Sequence, residues 1–137
     1  MRTRVQVLLV AVSLIVCACA QNGGPSVSAE DMTLPITLTQ AEQNTVKEGT
    51  RQSLKDPDSA RFGRMVAGIK SNGDVVVCLM VNAKNSYGGY TGERPLMGLL
   101  FKYKNPMVFT VVPTPEHLRQ YSDIATFQVC RDRGLAL

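Results

Sequence analysis

The chain has 137 residues, 45% of them hydrophobic and 19% charged, with no Trp and a formal net charge of +4. That suits one domain with an aliphatic core of Val, Leu, Met and Ile, and it excludes wholesale disorder. Arg2 and Arg4 sit at the extreme N-terminus; without them 13 basic residues face 11 acidic ones, which is not the electrostatic footprint of a nucleic-acid binder.

Met1 to Arg4 is a short basic start, Val5 to Val16 is apolar except for Gln6 and Ser13, and Ala18, Cys19 and Ala20 are small or compact. This is the three-part pattern of a secretory signal peptide over residues 1–20. Its apolar run is shorter than the ~20 residues of a membrane span. Two cleavage readings compete. Ala18-Cys19-Ala20 fits the A-x-A rule and would release a soluble periplasmic chain from Gln21. Val16-Cys17-Ala18-Cys19 looks like a bacterial lipobox with Cys19 as the lipid-bearing residue, although Cys at its second position departs from the pattern. Residues 21–28, rich in Gly, Pro and Ser, suit a flexible tether and favour the lipid reading. An acylated Cys19 with more than one chain would anchor stably. In Gram-negative lipoproteins, which this N-terminus resembles, Ala20 in place of Asp after the Cys implies the outer membrane, facing the periplasm.

Export also decides how the cysteines are read. Cys17 leaves with the signal and Cys19 carries lipid or lies near the new N-terminus, so Cys78 and Cys130 remain as a pair in an oxidising compartment. A disulfide between them is expected. It would close a loop of roughly fifty residues, for which chain entropy gives about 4 kcal/mol.

In chain order, residues 21–36 read as linker and residues 37–137 as a single domain. Thr39-Gln40-Ala41-Glu42 is a capping box and predicts a helix from Gln40 to about Leu54, with a weak apolar face of Ala41, Val46 and Leu54. Gly49 inside that helix costs about 1 kcal/mol against Ala, which a close approach to a sheet would explain. Asp56 before Pro57 predicts an N-cap and one more helical turn, and Phe62 starts the sheet. Strands are expected at Arg64–Lys70 and Asp74–Ala83, joined by Ser71-Asn72-Gly73, a strong hairpin signal. Val75 to Val81 is apolar without alternation, so this strand should be buried on both faces and covered by helix. Further strands are expected at Leu96–Lys104 and Met107–Val112. Ile124, Phe127 and Cys130 recur every three residues, Asp123 lies in the first turn and Gly134 follows, which predicts a C-terminal helix within 122–133. The expected fold is α+β: about four antiparallel strands, an N-terminal helix on one face, a short C-terminal helix and one disulfide.

Chemistry is harder to place. His117 is the single His and has no Cys or His partner in sequence, so no metal set is expected. Neither a G-x-S-x-G elbow, a P-loop nor a dinucleotide fingerprint occurs, and Cys78 lies in an apolar strand, a poor setting for a thiolate. Asp56 and Asp58 are accounted for by a cap and a turn. No catalytic residue and no cofactor are expected. The segment Asn82–Gly92 differs: Gly88, Gly89 and Gly92 permit close backbone approach and an anion nest. Asn82, Lys84, Asn85, Tyr87 and Tyr90 add polar and amphipathic groups. The bland reading of the same segment is a wide strand connection that satisfies its own amides.

D-P-x-S-A-R-F at Asp56–Phe62, followed by V-N-A-K-N-S-Y-G-G-Y-T-G at Val81–Gly92, resembles a family of small exported proteins of Gram-negative bacteria and their prophages. The resemblance covers about Lys47 to Gly92 and implies an envelope address and an α+β fold, with no reaction attached. Family members commonly carry C-G where this chain has Cys78-Leu79. The expected function is a binding or structural role in the envelope, toward an envelope protein or cell-wall component, through the 82–92 loop. The alternatives are a periplasmic inhibitor or phage-type exclusion factor and, further off, a small hydrolase.

Overall fold

The computed structural model describes residues 32–137. The predicted signal segment, Cys19 and most of the predicted linker lie outside them. Five antiparallel strands follow one another across a single sheet: β1 (Leu34–Ile36), β2 (Arg61–Ile69), β3 (Val75–Asn82), β4 (Arg94–Phe101) and β5 (Val108–Val111). Helix α1 (Gln40–Gln52) covers one face and α2 (Ser122–Asp132) the other, so the class is α+β. The strand beyond the expected four is β1, which falls where the sequence reads as linker. Three residues centred on Pro35 carry no period of their own; pairing of Leu34 with Ile69 and Ile36 with Ala67 makes them a strand, at the sheet edge where Pro is tolerated.

β3 is the core, as its composition predicts. Val75, Val77 and Leu79 join Val46 of α1, Leu100 and Phe109 on one face. Val76 and Cys78 join Cys130 and Leu135 on the other. Cys78 and Cys130 form the expected disulfide, which ties α2 to the central strand. The β2–β3 hairpin turns through Ser71–Gly73, with Gly73 at φ +87° and the Asn72 side chain accepting from Asp74 N at 3.0 Å.

Helix α1 begins at the capping box. Glu42 N donates to the Thr39 hydroxyl at 3.3 Å, and Thr39 N donates to Glu42 Oε2 at 2.7 Å. Its buried stripe, however, is Glu42, Val46 and Thr50, while the expected contact residue Ala41 is exposed. The polar members can be buried because each is satisfied. Thr50 Oγ1 donates to Val46 O at 2.8 Å, and Glu42 also meets the Lys102 ammonium. The Lys102 contact, with help from Thr39, outweighs burial and holds the Glu42 carboxyl below its ordinary value of 4.5. Because the folded pKa is lowered, this stabilisation is complete above about pH 4.5 and disappears as pH falls through the lowered value. Glu42→Gln keeps a capping acceptor but loses the ion pair. It should cost about 1–2 kcal/mol at pH 7 and flatten the acid limb of a melting-temperature profile below pH ~4.5.

α2 stops as its sequence predicts. Gly134 at φ +79° donates to Arg131 O at 2.9 Å and Leu135 N to Cys130 O at 2.9 Å, a Schellman end with Leu135 packed beside Cys130. The members of its three-residue repeat differ in burial. Cys130 is the sole buried residue of α2, and Ile124 and Phe127 are 70% and 42% exposed. Three-residue spacing puts side chains on neighbouring positions of a helix; the disulfide fixes which side turns inward.

Candidate functional site

The 82–92 segment leaves β3 as a second, smaller hairpin. Lys84 and Tyr90 bridge as antiparallel partners, Asn85 N donates to Gly89 O at 2.9 Å, and Gly88 N donates to Asn85 O at 3.0 Å. Gly88 and Gly92 take φ of +81° and +97°, the conformations that require glycine here. The amides an anion nest would present are already engaged: the Asn85 side-chain oxygen accepts from Tyr87 N at 2.9 Å and Gly89 N at 3.1 Å. Asn85 thus fills the concavity from within and fixes the loop's shape. Asn82 ends β3 with its side-chain oxygen enclosed and without a hydrogen-bond partner among the described residues.

The loop rests on the turn that follows α1. Asp56 caps the 3-10 turn Pro57–Ser59, its carboxylate accepting from Ser59 N at 3.3 Å. Ser59 then serves the loop twice: its hydroxyl accepts from Lys84 N at 2.9 Å and its carbonyl from the Tyr90 hydroxyl at 3.1 Å. The Arg61 guanidinium lies 4.2 Å from the Tyr90 ring centre and the Lys84 ammonium 5.9 Å, both within cation–π range. The two motifs read in the sequence are therefore one physical unit, with Ser59 and Arg61 joining D-P-x-S-A-R-F to the glycine-rich loop. Local reading misses both residues as site members, because their partners lie 25 and more residues away.

The predicted contact residues divide accordingly. Lys84, Asn85, Tyr90 and the glycines build the loop, whereas Tyr87 at its tip is 96% exposed. Beside the loop lies a hollow of about 350 Å³, bounded by Leu54, Lys55, Asn85, Thr91, Arg94 and Asp123. Ser122 and Asp123 line it but are taken up by Arg94, which donates to Asp123 Oδ1 at 2.9 Å and to Ser122 Oγ at 3.2 Å. The Ser122 hydroxyl in turn donates to Asp123 Oδ1 at 3.3 Å, a carboxylate oxygen already paired with that guanidinium. His117 is exposed on the 3-10 segment Glu116–Tyr121, and its neighbour Glu116 pairs with Arg119. Among the described residues no group of three or more His, Cys, Asp or Glu side chains is placed to hold a metal. The chain matches no family model, no curated protein and no solved structure.

Proposed function

We propose that the protein is a cell-envelope lipoprotein, anchored through Cys19 and facing the periplasm, that binds an envelope protein or cell-wall component through the 82–92 loop. It acts without catalysis. The supporting observation is a fully exposed Tyr87 on a loop whose own hydrogen bonds, through Asn85 and Ser59, leave little backbone freedom to lose on binding. A rigid aromatic anchor is what low-entropy recognition uses. Lys84 and Arg61 beside Tyr90 give the surface a cationic rim, suited to a partner with carboxylates.

A photo-crosslinking amino acid at position 87 tests this in intact cells, with one at Tyr103, which is also exposed but lies beyond β4. Position 87 should give one discrete adduct and position 103 none. Tyr87→Ala should abolish binding to that component with a stability change within about 0.5 kcal/mol. Tyr90→Ala should cost about 1 kcal/mol of stability as well, because its hydroxyl and ring hold the loop down. Equal adducts at both positions, or undiminished binding by Tyr87→Ala, would rule out this loop as the contact surface.

A further inference from the structure

We propose that the outer face of α2 lies on the lipid bilayer, with Tyr121, Ile124 and Phe127 as the inserting side chains; this rests on the anchored reading above. Tyr121, which closes the 3-10 segment, and Ile124 and Phe127 of α2 are 55%, 70% and 42% exposed. At i, i+3, i+6 they are neighbours on the surface, winding away from the buried Cys130, with Phe127 beside it and Ile124 and Tyr121 farther round. Leu137 and Ala136 of the tail extend it, enclosing a shallow hollow of about 320 Å³ with Ile124, Phe127 and Arg131. Isolated exposed apolar residues are ordinary on a protein surface; a continuous stripe on one helix calls for an occupant.

The path of the chain says which occupant. The described residues begin at Met32, and Thr33 Oγ1 donates to Arg133 O at 2.6 Å, directly beyond the end of α2. The first described residues therefore lie against the C-terminal end of this helix. Residues 20–31 reach at most about 40 Å when extended, so an anchor at Cys19 keeps α2 within reach of the surface that holds it. The charges around the stripe leave room for apolar insertion at a headgroup surface. Asp123 is neutralised by Arg94, Asp132 accepts from Gln128, and Arg131, which donates to Gln128, sits in the stripe where its head can rise to headgroup phosphate.

The chain lacks Trp, so a single indole reports its own surroundings. Full-length acylated protein carrying Phe127→Trp, Ile124→Trp or Tyr87→Trp would be reconstituted into phosphatidylethanolamine–phosphatidylglycerol vesicles containing acyl chains brominated near the headgroup, and first floated on a density gradient. The expected result is flotation of all three, about twofold or greater quenching for Phe127→Trp and Ile124→Trp, as for side chains ~5–10 Å below the surface, and no quenching for Tyr87→Trp. Flotation with unquenched α2 indoles would overturn the docking and leave the anchor standing. Failure to float would overturn the anchor itself. A blue-shifted but unquenched α2 indole that depends on protein concentration would assign the stripe to a second copy of the chain instead.

Discussion

Replacing both Cys78 and Cys130 by Ala should lower domain stability by about 4 kcal/mol, the loop-closure entropy of a cross-link spanning 52 residues. For a domain near 100 residues that is about 15 °C or more in melting temperature, and a large share of the usual 5–15 kcal/mol. The effect should also be local. Cys130 is the one buried residue of α2, and the helix is otherwise held by the exposed Arg94–Asp123 pair and by Leu135 behind its C-terminus. Exposed ion pairs contribute little. Amide exchange in residues 122–132 should therefore accelerate before exchange in β3, and the urea m-value should rise as the unfolded chain expands. If the double variant melts within a few degrees of the parent, α2 is held by packing and the disulfide is incidental.

Phe109→Ala should cost about 3–5 kcal/mol. Phe109 is buried in the α1-side cluster, and two glycines are shaped around it. A Cβ on Gly98 of β4 would come within 2.2 Å of the Phe109 ring, and one on Gly49 of α1 within 2.5 Å of the Phe109 carbonyl oxygen. Gly49→Ala decides between two effects of opposite sign. Helix propensity favours Ala by about 1 kcal/mol, while overpacking costs about 1–3 kcal/mol. The obstructing atom is backbone and cannot rotate away, so the variant should be less stable than the parent by about 1 kcal/mol. Chemical denaturation measures both. A stabilised Gly49→Ala would mean that α1 stands off from β5.

Much of the frame was legible because its signals are local. The unbroken apolar run Val75–Val81 implies burial on both faces, and Val75, Val77 and Leu79 on one side with Val76 and Cys78 on the other bear that out. Thr39 with Glu42, Asp56 with Pro57, Asn72-Gly73 and Gly134 each name a cap or turn through groups a few residues apart, and all four form. The candidate loop was visible as a glycine-rich break after β3. Its internal wiring was not, because Asn85 can equally leave its neighbours' amides open or occupy them.

Tertiary structure settled what short-range chemistry leaves open. Periodicity states which residues share a face but not which way the face turns. The α2 stripe of Ile124 and Phe127 points outward because the disulfide orients the helix, and α1 buries Glu42 and Thr50 because their hydrogen bonds are met. β1 exists because β2 offers an open edge to it. Ser59 joins the two motifs because the end of α1 and the end of β3 arrive at the same corner of the sheet. The sequence by itself determined the central strand, the helix ends and the cysteine pair, whose physics acts within a few residues or through a covalent bond. The orientation of faces and the joining of distant segments are decided by packing, which exists only once the chain has closed on itself.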